Sequence, residues 1–334
     1  MTQHTPCATR LDGVGGYALT VDVEEWYHNC LVPAYVHPEL RPALPQELDR
    51  LLPFLLDMLA EAGATATFFV LGEVAERLPR RMREIAAAGH EVASHGYLHL
   101  RACGRPLDAF RRDIRRSKTL LEDLLGEPVL GFRAPEWSLR RLSSPLVPLV
   151  AEAGFLYDSS LAPYSFSGRR SNPRFACRLE WPEGHLPGPD LLEFPPLTFG
   201  GPLRVPAGSW TGRLVRPSRL AAAAARHLAE GGLPVMVIHP WELSGGPTPG
   251  PLSGLARFIH ETGRRDFAPR LRILLHSLPW RSLRTAASLA GTTGTVPAAA
   301  EAGMPRLSLV PHLADSPVRA RLSSAVRRRR QQWR

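Results

Sequence analysis

Four amphipathic stretches of this chain, at 46–62, 74–88, 107–125 and 144–153, each run into a glycine: Gly63, Gly89, Gly126 and Gly154. Glycine takes the left-handed conformation that ends a helix at little steric cost. Within 107–125, Phe110, Ile114, Ser117 and Leu121 recur at helical spacing along one stripe. Short apolar runs at 17–23, 66–70, 91–94, 129–132, 192–194 and 235–239 read as strands, and 217–230 as a fifth helix. Such alternation predicts an α/β fold, a mostly parallel sheet or barrel with helices outside. In folds of this kind the chemistry gathers at the C-terminal ends of the strands.

The first strong strand ends in acids. In YALTVDVEEWYH, residues 17–28, Asp22, Glu24 and Glu25 follow directly on apolar positions. Burying several carboxylates together is costly without a compensating cation. A second segment, HEVASHGYLH, offers the remaining ligands. His95 and His99 are four apart, so on a helical turn they would share a face. Two imidazoles and a carboxylate make a three-ligand site for Zn²⁺ or a similar ion, with a position left for water. Asp22 and Glu24 alternate onto one side of the strand. One can ligate the ion while the other faces its water. Glu25 points the other way, as second choice for ligand or as partner of a neighbouring Arg. His28 and His90 read as structural histidines, His28 close enough to the acids to line the pocket.

Composition sets limits on the rest. Of 334 residues, 44% are hydrophobic and 22% charged, ordinary values for a globular chain. Apolar runs break well before the ~18 residues of a membrane span. The N-terminus lacks the apolar core of a secretory signal, so a cytoplasmic location is expected. Cys7, Cys30, Cys103 and Cys177 are scattered and form no C-x-x-C pair, which argues for reduced thiols and against a cysteine zinc site. The net charge of +10 rests on arginine, since Lys118 is the one lysine. Residues 288–334, ending VRRRRQQWR, read as a disordered Arg-rich tail. The tail carries no RNA-binding module, so no specific nucleic acid is expected, and at most weak contact with an anionic surface. The Pro-, Gly- and Arg-rich stretch 160–190 reads as a long loop or hairpin over the site.

Five segments, TVDVEEW, SHGYLH, FRAPEWS, YDSS and VIHPWEL, occur in the order of the motifs of the polysaccharide deacetylases of the NodB-homology type, carbohydrate esterase family 4. The resemblance spans roughly 15–285, and the subgroup it is most similar to is the one found with bacterial exopolysaccharide and exosortase loci. It implies a distorted (β/α)7-type barrel, a catalytic domain over 13–287 that includes a short helical extension at 254–278, and a divalent metal: Zn²⁺, Co²⁺ or Ni²⁺. By the resemblance Asp22 is the base, Glu24, His95 and His99 hold the metal, and Arg133 pairs with the base. Asp158 orients the catalytic His239, which acts as general acid. Pro135, Glu136 and Val237 shape the substrate pocket. This chain reads Asp-Val-Glu where most members have two adjacent aspartates, which leaves the choice between Glu24 and Glu25 open.

The chemistry of these residues is coherent as amide hydrolysis of an N-acetylated polysaccharide or oligosaccharide. The metal would polarise the acetyl carbonyl and acidify water, Asp22 would take the water's proton, and Arg133 would keep Asp22 ionised and aimed. The backbone N–H of Glu136 would help hold the oxyanion. His239 would protonate the leaving amine, and Trp137 and Trp241 could stack on sugar faces. Two other readings remain at this stage: hydrolysis of a small cyclic amide, as in a purine-degrading branch of the family, and a non-catalytic carbohydrate-binding homologue.

Overall fold

The computed structural model describes residues 6–11, 15–28, 38–164, 171–181, 191–199, 204–248, 252 and 254–288. Apart from Ser288, the expected Arg-rich tail lies outside these residues, as do Cys30 and much of the expected loop at 160–190. The strands are β1 (Cys7–Arg10), β2 (Tyr17–Val23), β3 (Thr67–Val70), β4 (Glu91–Ser94), β5 (Gly131–Phe132), β6 (Tyr157–Asp158), β7 (Cys177–Glu180), β8 (Leu191–Glu193), β9 (Thr198–Phe199), β10 (Val205–Pro206), β11 (Val235–Ile238) and β12 (Trp280–Arg281). The helices are α1 (Leu48–Ala62), α2 (Gly72–Arg77), α3 (Pro79–Ala87), α4 (Leu107–Leu125), α5 (Val147–Glu152), α6 (Ser209–Leu214), α7 (Pro217–Ala229), α8 (Gly254–Glu261), α9 (Phe267–Ser277) and α10 (Leu283–Ser288). None is long and apolar enough to cross a membrane.

Hydrogen bonding orders the main sheet β1-β7-β8-β6-β5-β4-β3-β2-β11, with β12 also on β2. Eight strands run parallel, namely β2, β3, β4, β5, β6, β8, β11 and, beside β2, the short β12. Beyond β8 the chain turns back toward β11. Leu197 N donates to Val235 O at 2.8 Å, and Gly208 bridges to Val237. The parallel strands therefore come round into a ring whose last junction is made by single bonds rather than a ladder, in agreement with the barrel expectation. Gly208 sits at φ 107, and a Cβ there would fall 2.0 Å from Val237 O, so only glycine fits this junction.

The outer layer explains why the alternation was readable. Leu19, Val21 and Val23 of β2 pack into one apolar cluster with Leu51 and Leu55 of α1 and Phe110, Ile114 and Leu121 of α4. Burial of each such side chain contributes about 1.5–3 kcal/mol. A one-residue slip of β2 would expose all three and turn Asp22 into that apolar layer, so packing fixes which way the acids face. The expected helix at 74–88 is broken into α2 and α3, because Pro79 lacks the N–H a helix interior needs and starts a new helix instead. The edge strand β1 and its antiparallel neighbour β7 escaped the sequence reading; β1 is exposed throughout and carries no apolar pattern.

Candidate active site

Asp22 and Glu24 reach the open end of the ring from β2, 3% and 5% exposed. Glu24 Oε1 lies 2.9 Å from both His95 Nε2 and His99 Nε2. His95 follows β4 directly, and its Nδ1–H donates to Arg133 O at 2.7 Å. That bond orients the ring and aims Nε2 at Glu24. The helical turn expected for the histidine pair is absent. Gly96 at φ 79 and His99 at φ 53 make a tight loop that turns both rings to the same point. Burial alone would raise the Glu24 carboxyl, but the His99 charge and the bonds from both histidines outweigh it and hold it well below its ordinary value.

Glu25 faces the opposite way. It accepts from Arg77 Nη2 at 2.7 Å and from the backbone N–H groups of Glu47 and Leu48 at the start of α1. The structure thus places the two adjacent carboxylates on opposite sides, Glu25 with a neighbouring Arg and Glu24 with the histidines. One oxygen of Glu24 and two imidazole nitrogens converge in a buried space, a donor set that protons satisfy only in part and that suits a small divalent cation with water as fourth ligand. Asp22, Glu24 and His239 also lie close together. Asp22, however, already carries the Arg133 guanidinium, whose charge opposes a cation at that oxygen.

Arg133 is fully buried. Its Nη1 donates to Asp22 Oδ1 at 2.6 Å and to Thr20 Oγ1 at 2.9 Å, while Nε and Nη2 reach Ser159 O and Oγ. Asp22 Oδ2 is left facing the pocket, 3.9 Å from both His95 Nε2 and His239 Nε2. His239 follows β11, the strand hydrogen-bonded to β2, so these two groups come from opposite ends of the chain.

Asp158 does not orient His239. It bonds Ser160 Oγ and adjoins Glu193, and burial pushes its carboxyl up to about 6. The partner of His239 is Glu242, whose Oε2 lies 3.2 Å from Nδ1 and also accepts the His239 backbone N–H at 3.1 Å. The other oxygen of Glu242 pairs with Arg213 Nε at 3.0 Å. Burial opposes charge on His239, yet the Glu242 bond and the negative charges of Glu24, Glu242 and Asp22 raise it to about 9. A local signal existed: Glu242 stands three residues past the histidine in HPWEL, a reach that a single turn spans. Arg213 had none, since its pairing joins distant segments.

The pocket holds about 270 Å³ and is lined by Asp22, Glu24, His28, His99 and His239 together with Glu136, Trp137 and Ser209. Glu136 and Trp137 at φ 57 and 50 form a strained rim. Three residues expected on the pocket wall lie beneath it instead: Pro135, Val237 and Trp241 are all buried. Trp241 is 1% exposed, with its ring between His239 and His260, and cannot present a face to a ligand. His28 stacks on His99 and bonds Glu73, and burial lowers it to about 4. His90 accepts from Ala66 N–H, away from the pocket.

Comparison with known proteins divides the chain in two. Residues 46–155 match the family model described as polysaccharide deacetylase, and residues 159–288 a domain of unknown function, DUF3473. The second region supplies Ser209 and His239 to the same pocket, with Glu242 and Arg213 behind His239. A peptidoglycan deacetylase of Helicobacter pylori is 31% identical over 116 residues, 35% of this chain and 39% of that protein. A chitooligosaccharide deacetylase of Sinorhizobium fredii is 39% identical over 95 residues, 28% of this chain and 39% of that protein. The chain thus spans about two fifths of the length of each of these relatives. A solved Mycobacterium smegmatis structure, described as a candidate polysaccharide deacetylase, shares 25% identity at a TM-score of 0.52, covering 93% of this chain and all of that one. The ordered motifs, the matched family model and the shared fold agree: the chain carries a polysaccharide deacetylase domain of the NodB-homology type, matched over residues 46–155.

Proposed function

We propose that the protein removes N-acetyl groups from sugars of a bacterial exopolysaccharide or its precursor, with residues 13–287 acting as one catalytic unit. The observation that carries this reading is the convergence of Glu24, His95 and His99 beside an Asp22 oxygen left open to the pocket. Glu24, His95 and His99 would hold a divalent ion, zinc by the nitrogen-rich donor set, and Asp22, Arg133, His239 and Glu242 would carry the proton transfers. When bound, the ion supplies Lewis-acid polarisation of the acetyl carbonyl and an acidified water.

Asp22 takes a proton from the attacking water at Oδ2, while Arg133 occupies Oδ1 and keeps the carboxylate aimed. The water oxygen adds to the acetyl carbon, and the backbone N–H of Glu136 donates to the oxygen that gains charge. His239 delivers its Nε2 proton to the nitrogen as the C–N bond breaks, which leaves acetate and a free amine. Glu242 holds the opposite ring nitrogen and stabilises the imidazolium. Trp137 sits on the rim, where its ring can rest on a sugar face.

The test couples metal analysis of the purified protein to acetate release from N-acetylglucosamine oligomers. About one divalent ion per chain is expected, with activity lost on chelation and restored by Zn²⁺. Acetate release that persists after the ion is stripped overturns the reading, as does intact metal with no release from any N-acetylated saccharide.

A further inference from the structure

The catalytic pocket does not end at its rim. Glu136, on its wall, also lines a smaller hollow of about 170 Å³ together with Arg101 and Arg140. That hollow shares Cys103 and Arg140 with a larger one of about 470 Å³, where Arg105 and Arg141 join the lining. The three adjoin through shared lining residues, and the two outer hollows are lined by four arginines, Arg101, Arg105, Arg140 and Arg141, against one carboxylate, Glu136.

The arginines differ in what they already hold. Arg101 pairs with Glu136, and Arg105 lies 3.5 Å from Asp113. Arg140 and Arg141 are exposed, and among the described residues neither guanidinium has a hydrogen-bond or ion-pair partner. Their backbone is nonetheless fixed. Arg140 is held at φ 67, its carbonyl accepts from Asn172 Nδ2 at 2.8 Å, and Arg141 N donates to Leu139 O at 2.8 Å. Ser138 Oγ accepts from Ala102 N at 2.8 Å and ties together the two segments lining the smaller hollow. Unspent guanidinium groups on a concave, preformed surface focus positive potential, and their planar fork matches carboxylate or phosphate oxygens.

We propose that Arg140 and Arg141 bind an acidic group, carboxylate or phosphate, borne by the saccharide beyond the unit whose acetamido group is cleaved. The chain's substrate is then an acidic N-acetylated saccharide rather than a neutral one. This assignment of substrate class rests on the deacetylase reading above, but the binding site does not.

The experiment compares two oligosaccharides of equal length, one alternating N-acetylglucosamine with glucuronic acid and one of N-acetylglucosamine alone. Binding is read by calorimetry and turnover by acetate release, with the native protein and with an Arg140→Gln/Arg141→Gln double variant. The acidic oligomer should bind roughly tenfold tighter than the neutral one at low salt. The double variant should lose that factor in Kd and KM for the acidic oligomer, with kcat unchanged and the neutral oligomer unaffected. High salt should remove the same preference. Pyrophosphate that competes with the acidic oligomer in the native protein, and not in the variant, assigns the site to phosphate-bearing chains; failure to compete assigns it to carboxylate. Equal binding of the two oligomers, or an acidic preference that survives in the variant, overturns the proposal. Acidic-oligomer binding lost in the variant, without acetate release from either substrate, upholds the site and sinks only the deacetylase reading.

Discussion

Two pairs of buried carboxylates flank Arg133, and they behave in opposite ways. Glu24, beside Asp22, is held well below its ordinary value, because two imidazoles reach it at 2.9 Å and outweigh the cost of burial. Glu193, beside Asp158, is pushed well above its ordinary value, first by burial and then by the Asp158 charge. Both residues are nearly or fully inaccessible, so depth alone does not distinguish them. The supply of cationic partners does. The first pair opens onto the pocket and can exchange protons with a substrate. In the second, Glu193 Oε1 accepts from Leu161 N–H at 3.0 Å and ties it to the end of β8, so this pair serves the frame. Asp158 is engaged by Ser160 and Glu193, while Glu242 Oε2 lies 3.2 Å from His239 Nδ1 and takes the place expected for Asp158.

The largest expected effect separates ligand from neighbour within the first pair. Glu24→Ala should bring ion content near zero and acetate release to background, whereas Glu25→Ala should keep the ion and lower the melting temperature through loss of the Arg77 and α1 contacts. Reversed metal contents would exchange their roles. Asp22→Asn comes next: it should retain the ion and lower kcat by about 10²–10⁴-fold, the usual worth of a positioned base. Loss of the ion in that variant would move Asp22 into the ligand set.

Glu242→Gln sharpens the comparison on the acid side. His239 stands at about 9 despite burial, chiefly through Glu242, so the variant should lose protonated histidine at lower pH. The alkaline limb of kcat/KM should shift downward, while Asp158→Asn leaves it in place. A shift in Asp158→Asn and none in Glu242→Gln would restore the pairing expected from motif order. The smallest effect is in Glu193→Gln. A carboxyl raised in the folded state contributes stability that is full below its unfolded value, near 4.3, and lost as pH rises through the folded value. The melting temperature of the native protein should therefore fall with rising pH more steeply than that of the variant. Parallel slopes would place the retained proton elsewhere.

What sequence revealed follows the same division. Strand and helix order was legible wherever one face packs the outer layer, as in β2 and α4, since burial imposes a period on the residues themselves. Asp22, Glu24, His95, His99, Arg133 and His239 stood out because charged groups at strand ends have few other reasons to be there, and the fold gathers them at one pocket. Strand alternation favoured Glu24 over Glu25 as ligand but left the choice open, because what occupies Glu25 is the start of α1. The loop holding His95 and His99 passed for a helical turn, since spacing does not report the positive φ of Gly96. Arg213 was invisible for a more basic reason: its charge is balanced by a residue that only the closed ring brings near. Trp241 misled because an aromatic beside a catalytic histidine can as well be its bedding as a sugar platform.

The pairing of β2 with β11 and β12 has a consequence for how the protein is made. The strand that bears Asp22 leaves the ribosome early, while the strands that cover its free edge are translated near the end of the described chain. Until then the acids hang on an incomplete sheet, without His239 and without the arginine that steadies it through Glu242. A chain interrupted before β11 thus lacks His239 and Glu242 and presents an open sheet edge for chaperones or proteases to find.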